Sequence, residues 1–184
     1  MARTPSNMVA LGKKAPEFTL PDTVTGKQIS LAEVKGQVAT VVMFICNHCP
    51  FVKHINTGLV KLSHDYKNQE IGFVAISAND AAHYPEDAPG KMKETALWLH
   101  YPFPYCYDET QQVAKAYGAA CTPDFFIYNK NLELEYRGQL DDSRPGNEIP
   151  VTGKDIRHAL DCLINNQPVP AEQRPGIGCN IKWK

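Results

Sequence analysis

The sequence predicts an α/β protein, a three-layer sandwich in which helices cover both faces of a mixed central sheet. The continuous apolar runs Val38–Ile45 and Ile71–Ser77 are typical of strands buried on both faces, and a segment of helical periodicity follows each of them. A hairpin near the end of the chain then adds strands that run antiparallel to the others.

Short patterns predict the first elements. Thr19–Asp22 and Lys27–Leu31 flank a turn at Gly26, which indicates an N-terminal β-hairpin before the first buried strand. From Cys46 onward the apolar residues recur at spacings of three and four, which predicts an amphipathic helix. Its apolar face consists of Val52, Ile55, Leu59, Leu62 and Tyr66.

The middle of the chain alternates between loops and regular segments. Asn79–Gly90 contains two prolines, a glycine and three acidic residues, so we expect a loop there and a helix over Lys91–Tyr101. Tyr105–Tyr107 follows two prolines and should be extended. A short helix over Glu109–Tyr117 should end at Gly118.

The last third begins with two strands, Phe125–Tyr128 and Leu132–Tyr136, whose connecting turn residues predict a hairpin. After a polar loop, a closing helix presents one apolar face formed by Ile156, Ala159, Leu160, Leu163 and Ile164. The tail 167–184 is predicted to be irregular. We expect it to be held only by Ile177, Ile181 and Trp183.

Length and composition fit a single domain over residues 1–184, because 43% of the residues are hydrophobic and can form a sizeable core. The net charge is -1 and no long block of like charge occurs, so no nucleic-acid partner is expected. The longest nearly apolar run, Val38–Cys46, has nine residues, whereas a membrane span needs about 18. No membrane association is expected.

The N-terminal segment has only the four-residue apolar stretch Met8–Leu11, shorter than the roughly seven residues of a secretory signal core. This favours a cytoplasmic location. The six cysteines in 184 residues are also fewer than the about 8% that is typical of a disulfide scaffold. At least some of these thiols should therefore be available for chemistry.

The motif that carries chemistry is Cys46-Asn47-His48-Cys49, where the first buried strand meets the helix. A helix N-terminus lowers the pKa of a nearby thiol, and two intervening residues allow the sulfurs to form a disulfide. We expect Cys46 to be exposed and reactive and Cys49 to be shielded. A structural zinc site is disfavoured because the sequence has no second cysteine pair, and inert thiols are unusual at this edge of a sheet.

Several segments resemble the redoxin branch of the thioredoxin-like superfamily, which includes the AhpC/TSA peroxiredoxins and the TlpA and ResA oxidoreductases. GKKAPEFTLPD, at 12–22, is similar to the opening of that branch, and Val41–Pro50 is similar to its active-site strand. Tyr117–Ile127 resembles its segment with a cis-proline, and Asp141–Asn147 and the GCNIKWK tail also resemble redoxin sequences. The resemblance covers nearly the whole chain.

The resemblance implies a thioredoxin-like fold with Cys46 as nucleophile and Cys49 as resolving thiol. It also implies that Pro123 is a cis-proline facing them and that the backbone of Thr122 binds an extended substrate. Two features differ from the relatives. Asn47-His48 replaces the Gly-Pro of thioredoxin, and the peroxiredoxin pattern placed on Cys49 would need proline at Val42 and threonine or serine at Cys46.

Other residues near the motif are expected to tune or extend its chemistry. Asn47 and His48, between the cysteines, are both expected to tune the pair or contact the substrate. His48 stands where the oxidising DsbA family also has histidine, and we expect it to stabilise the Cys46 thiolate. Cys121 lies two residues before Pro123 and either packs beside Thr122 or exchanges with Cys46 or with Cys179 of the tail. Cys106 and Cys162 are expected to be packing residues.

The function predicted from these patterns is thiol-disulfide oxidoreductase activity by dithiol exchange, with an antioxidant role. The expected partners are a disulfide-bearing protein or small-thiol substrate and a reductant. No cofactor is expected beyond the redox-active disulfide Cys46–Cys49, and no metal. Two alternatives stay open: a peroxiredoxin-like thiol peroxidase, and a copper-binding protein like the Sco chaperones, which typically space their cysteines by three residues.

Overall fold

A five-stranded sheet forms the centre of the computed structural model, which describes residues 3–184. The strands are β1 (Arg3–Pro5), β2 (Thr19–Pro21), β3 (Gln28–Ser30), β4 (Ala39–Phe44), β5 (Ile71–Ser77), β6 (Tyr105–Tyr107), β7 (Cys121–Thr122), β8 (Asp124–Asn129), β9 (Leu134–Gly138) and β10 (Ile177–Asn180). The helices are α1 (Leu31–Val34), α2 (Pro50–Asp65), α3 (Pro89–Trp98), α4 (Gln112–Tyr117) and α5 (Lys154–Ile164).

The strand order in the central sheet is β6-β5-β4-β8-β9. β4 pairs in parallel with β5 and antiparallel with β8, and β9 closes the antiparallel edge. β4 is buried along its whole length because alternate residues face two separate cores. Val41 and Met43 pack with α2, α3 and α5, whereas Val42 and Phe44 pack with α4 and the segment that carries β2 and β3. The predicted three-layer α/β sandwich is confirmed.

Most predicted elements are found within a few residues of their expected bounds. β2 and β3 form the N-terminal hairpin, and β8 and β9 form the second one. α4 ends at Gly118, whose positive φ of 70° suits glycine at a helix end. α2 differs in its start, since it begins at Pro50 with Cys49 as its N-cap residue and not at Cys46. Proline is favoured at this first helical position because no intrahelical partner exists for its missing N–H.

The C-terminal segment corrects the prediction of an irregular tail over 167–184. β10 lies between β1 and β7 in a separate three-stranded antiparallel sheet. Of the three expected anchors, Ile181 is buried, but Ile177 and Trp183 are 38% and 41% exposed. Backbone pairing therefore holds the tail more than apolar packing does. The short strand escapes sequence patterns because it has no alternation of apolar and polar residues.

Within residues 3–184, no helix combines the length and apolarity that crossing a bilayer requires.

Candidate active site

The two cysteines of the motif lie at the junction between β4 and α2, as predicted. Cys46 stands in the loop after β4, and Cys49 caps the N-terminus of α2. Both are free thiols and both are buried, with 2% of Cys46 and none of Cys49 exposed. The expectation of an exposed Cys46 is therefore wrong in this structure, because residues distant in sequence cover the motif.

Thr122 and Pro123 form the opposite wall of the site. The peptide bond between them is cis, as the resemblance to redoxins implied. The Thr122 hydroxyl lies 3.3 Å from Cys46 Sγ, and the Thr122 carbonyl oxygen lies 3.2 Å from Cys49 Sγ. One residue thus contacts both sulfurs, which fixes their positions relative to the loop that precedes β8.

The tail occupies the position that was expected for an extended substrate. Cys179 of β10 is paired with Thr122 of β7 in an antiparallel sheet, so the backbone of Thr122 already has a neighbouring strand where a substrate was expected. The Sγ atoms of Cys179 and Cys49 are only 2.8 Å apart. Cys179, predicted as a possible auxiliary thiol, therefore belongs to the site itself.

The ionisation of the two motif thiols is opposite to the sequence-based expectation. A hydrogen bond to Cys49, burial and the negative charge of Asp87 raise the pKa of Cys46 well above its usual range. The hydrogen bond from Cys46 lowers the pKa of Cys49 to about 5, against the effect of burial. Cys179 and the backbone of Val52 in the first turn of α2 lower it further.

The carbonyl oxygen of Thr122 opposes this effect, because a hydrogen-bond acceptor favours the protonated thiol. The donors around Cys49 outweigh it, since thiol groups on two sides and a helix N-terminus all stabilise the anion. In the reduced protein the negative charge therefore belongs on Cys49, and Cys46 keeps its proton. The helix dipole acts on Cys49 because α2 begins after Cys49 and not at Cys46.

Asp87 organises the dipeptide between the cysteines. This fully buried carboxylate accepts hydrogen bonds from the backbone N–H groups of Asn47 and His48, at 2.8 and 3.2 Å. His48 Nδ1 lies 2.5 Å from its second oxygen, and Asn79 Nδ2 donates to the same oxygen. Although burial raises the pKa of Asp87, these hydrogen bonds hold it below its usual value.

His48 and Asn47 each contact further groups around the motif. The imidazole stacks on Tyr84 with ring centroids 5.3 Å apart, and its buried Nε2 has no hydrogen-bond partner among the described residues. The Asn47 side chain donates to the carbonyl of Glu86 and accepts from the hydroxyl of Tyr105. Both predicted tuning residues are therefore held in place by the 79–90 segment and β6.

Cys46, His48 and Asp87 are also a candidate metal-binding group, since one ligand atom from each lies within 4.8 Å of the others. In this structure His48 and Asp87 are hydrogen-bonded to each other, so metal binding would compete with that bond. Asp87 was missed by sequence reasoning, which treated its segment as a loop. The only signal in the sequence was that Asp87 is acidic and closely follows Pro85. In the structure these residues form a short 3₁₀ turn.

Cys121 does not face the motif. Its Sγ lies 4.0 Å from the Ser6 hydroxyl and 3.6 Å from the carbonyl of Pro123. Cys121 pairs with Asn180, one residue along from the Thr122–Cys179 pair, and successive residues of a strand point to opposite faces. The structure therefore favours a packing role for Cys121, and it does not support exchange with Cys179.

The loop that resembles other redoxins lies next to the site. Asp141 is buried and accepts hydrogen bonds from the backbone N–H groups of Ser143, Thr152 and Gly153, so it is not part of a solvated face. Ser143 also contacts His54 Nε2 on α2, at 2.7 Å. Arg144 lines a small cavity beside Pro123 and Ile177. This loop therefore braces the wall formed by the cis-proline.

The fold and the site together define a class of protein. A central mixed sheet, two cysteines separated by two residues at a strand–helix junction, and a facing cis-proline are the features of a thioredoxin-like protein with a dithiol site. Comparison with known proteins gives the particular family.

The AhpC/TSA family pattern matches residues 11–137, and the chain belongs to the AhpC/TSA family. The crystal structure of an uncharacterized conserved protein from Geobacillus kaustophilus is 59% identical, with a TM-score of 0.98 over 100% of this chain and 97% of that one. The thiol-disulfide oxidoreductase ResA of Halalkalibacterium halodurans is 26% identical over 128 residues, which cover 70% of this chain and 68% of ResA.

A thiol:disulfide interchange protein of the thioredoxin family from Chlorobium tepidum has the same fold. It is 17% identical, with a TM-score of 0.64 over 85% of this chain and 99% of that one. The predicted thioredoxin-like fold and the resemblance to the redoxin branch are thus both confirmed.

Proposed function

We propose that this protein is a thiol-disulfide oxidoreductase that exchanges the Cys46–Cys49 dithiol with disulfides of proteins or small thiols. The observation that carries the proposal is the convergence of both thiols on Thr122 beside the cis peptide bond, at 3.3 and 3.2 Å. Membership of the AhpC/TSA family and the similarity to ResA support a redox role for this pair.

Cys46 is the thiol that meets the substrate. Both thiols are buried, and Cys49 also has the Cys179 sulfur against it at 2.8 Å, so an external disulfide could reach Cys49 only by displacing β10. As the Cys46 sulfur attacks, its proton passes to the Cys49 thiolate to which it is hydrogen-bonded. One substrate sulfur then becomes bonded to Cys46, and the other leaves as a thiolate that takes up a proton from solvent.

Cys49 completes the exchange. In the mixed disulfide Cys46 no longer donates to Cys49, but the thiol of Cys179 and the N-terminus of α2 still lower the pKa of Cys49. Cys49 loses its proton to solvent, and its thiolate attacks Cys46 Sγ. The bond between Cys46 and the substrate breaks, the second substrate thiol leaves, and the Cys46–Cys49 disulfide forms. The substrate has gained two electrons, which a thiol reductant must return to the protein. An antioxidant role in the cytoplasm remains a prediction within this proposal.

Turnover with a protein disulfide tests the proposal. We expect the purified protein to accelerate the reduction of insulin disulfides by a small dithiol, and Cys46→Ser to abolish the acceleration. Cys162→Ser is the matched control, since Cys162 lies on α5 beside His158 and outside the site, and it should retain full activity. Acceleration that persists in Cys46→Ser would contradict the proposal.

The lowered pKa of Cys49 also favours a second candidate, reduction of a peroxide by the Cys49 thiolate. Two observations weaken it: Cys49 is fully buried, and the sequence lacks the proline and the hydroxyl residue of the peroxiredoxin pattern. Consumption of hydrogen peroxide that requires Cys49 but not Cys46 would establish the peroxidase. Consumption no faster than that of free thiols would exclude it.

A further inference from the structure

Cys179 stands in the position of a disulfide partner for Cys49. The two sulfurs are 2.8 Å apart although the residues are 130 positions apart in sequence. This separation is shorter than the van der Waals contact of two sulfur atoms. Because a disulfide bond measures about 2.05 Å, the sulfurs need to approach by only roughly 0.8 Å to form one.

β10 is built to hold Cys179 at this place. A Cβ added to Gly178 would lie 2.0 Å from the Thr122 carbonyl oxygen, so only glycine allows the strand to come this close. Beyond the strand, the Ile181 N–H donates to the Ala120 carbonyl. The Lys182 N–H donates to the Asn79 side chain at 2.8 Å. Contacts on both sides of Cys179 therefore hold it against Cys49.

We propose that Cys179 is a third redox-active cysteine that takes the disulfide over from Cys46. The proposal rests on the dithiol exchange described above, which produces the Cys46–Cys49 disulfide. The Cys179 sulfur attacks Cys49 Sγ, so the Cys49–Cys179 bond forms and the Cys46–Cys49 bond breaks. Cys179 loses one proton and Cys46 gains one. No external oxidant or reductant is needed, because one disulfide is exchanged for another.

Protonation favours this order of events. In the reduced protein, burial and the neighbouring Cys49 raise the pKa of Cys179 to about 12, so Cys179 is a hydrogen-bond donor and not a nucleophile. Once Cys49 is in a disulfide, it carries no charge, so the part of the shift due to Cys49 disappears while the part due to burial stays. The positive charge of Lys182 then acts on Cys179 to lower its pKa.

Cys46 is the leaving group of this exchange, and it accepts the proton. The hydrogen bond to Cys49 no longer raises the pKa of Cys46 at this stage, but burial and the negative charge of Asp87 still raise it, so the released Cys46 sulfur takes up the proton that Cys179 gave up. The exchange moves the disulfide from the thiol that meets the substrate to the C-terminal strand, and it returns Cys46 as a thiol. Cys121 takes no part, because it faces Ser6 on the other side of the strand.

The first test uses Cys46→Ser, which removes the competing disulfide. The variant is unfolded in urea with its thiols reduced and then refolded in a glutathione redox buffer, so that oxidised glutathione can reach Cys49 and Cys179 before β10 covers them. We expect peptide mapping of the refolded protein to find a Cys49–Cys179 disulfide. Cys162→Ser in the Cys46→Ser background is the matched control and should give the same crosslink. If Cys49 and Cys179 both stay alkylatable in Cys46→Ser, the proposal is overturned.

The second test compares wild type with Cys179→Ser, each carrying one disulfide. We expect Cys46 to be alkylated faster in the wild type, by on the order of tenfold, because only there can Cys46 be released as a thiol. Equal rates would overturn the relay while leaving dithiol exchange intact. Failure of Cys179→Ser to form a Cys46–Cys49 disulfide, although its circular dichroism shows it folded, would instead count against the proposed function. If Cys179→Ser does not fold, the Cys46→Ser experiment decides alone.

Discussion

At the scale of single residues, the three sulfurs of the site differ in what surrounds each of them. Cys49 receives hydrogen bonds from thiols on two sides and lies at a helix N-terminus, whereas Cys46 is close to the carboxylate of Asp87. Sequence alone assigned the lowered pKa to Cys46, because the helix was expected to begin there. Because α2 begins at Pro50, four residues later than predicted, the helix dipole acts on Cys49.

This difference predicts how the reduced protein titrates. The far-ultraviolet absorbance of thiolate should rise with an apparent pKa of about 5 in the wild type, reporting the coupled pair. Cys49→Ser should lose this step, and Cys46→Ser should shift it upward because Cys49 loses its strongest donor. A wild-type titration that begins only near the ordinary cysteine pKa, about 8.5, would contradict this assignment.

The contact between His48 and Asp87 predicts an effect on reduction potential. The negative charge of Asp87 disfavours the thiolate that the hydrogen-bonded Cys46–Cys49 pair holds in the reduced protein, and the hydrogen bond from His48 Nδ1 to the Asp87 carboxylate weakens that effect. His48→Ala should therefore destabilise the reduced form and lower the potential by some tens of millivolts, about 30 mV for each tenfold change in the exchange equilibrium. Equilibration with glutathione buffers measures the potential.

His64→Ala is the control for this measurement, because His64 is an exposed histidine near the end of α2, the helix that follows His48. It should leave the potential unchanged. If His48→Ala has the wild-type potential, His48 serves to hold the loop around Asp87 and does not tune the thiols.

At the scale of elements, a helix or strand could be predicted when its sequence pattern lies within the element itself. β4 and β5 were found from continuous apolar runs, and α2 from a repeated apolar face, because burial on both faces or on one stripe is visible within a dozen residues. β1 and β10 have three and four residues and are defined by pairing across almost the whole chain. Such strands have no local pattern to detect.

β10 also provides a prediction about stability. Gly178→Ala would place a methyl group 2.0 Å from the Thr122 carbonyl oxygen, so β10 or the loop before β8 must shift. We expect the free energy of unfolding to fall by about 1–3 kcal/mol, measured by urea denaturation. Insulin reduction should change as well, since Thr122 contacts both thiols.

Gly90→Ala is the matched control, because Gly90 lies in α3 with open space where its Cβ would be. It should be neutral or stabilise the protein by about 0.5–1 kcal/mol, since alanine favours helix more than glycine does. If both variants lose the same stability, the close approach of β10 does not restrict residue 178.

At the scale of the whole molecule, the buried carboxyl of Asp124 makes the stability of the fold depend on pH. Asp124 follows the cis-proline and pairs with Phe44 of β4, and the Ser6 hydroxyl donates to it at 2.7 Å. Burial raises its pKa to about 7, against these hydrogen bonds. A raised carboxyl pKa means that the folded protein retains a proton that the unfolded chain has lost, so stability falls as pH rises from about 4 to 7.

The corresponding prediction concerns Asp124→Asn, which keeps an acceptor for Ser6 but cannot ionise. The stability of this variant relative to wild type should increase from pH 5 to pH 8, by at most about 1.4 kcal/mol per pH unit within the titration range. Urea denaturation at a series of pH values gives the difference. A constant difference across the range would show that Asp124 ionises equally in both states.

The whole site combines what sequence could and could not predict. The Cys46–Cys49 motif and the prolyl segment were found because each has a compact pattern that other redoxins share. The role of Asp87 and the placement of Cys179 were not found, because each depends on a tertiary contact between residues that are 39 or 130 positions apart in sequence. The covering of the motif by β10 follows from those same contacts, and so does the burial of Cys46.

The central claim is that these cysteines form a reversible redox couple, and a thiol titration in glutathione redox buffers tests it most directly. We predict a single two-electron transition in which the wild-type protein loses two thiols per molecule, retained in Cys162→Ser. Cys49→Ser should lose the transition, because Cys49 takes part in both proposed disulfides. A wild-type protein that keeps all its thiols across the range, or a Cys49→Ser variant with an unchanged transition, would contradict the account.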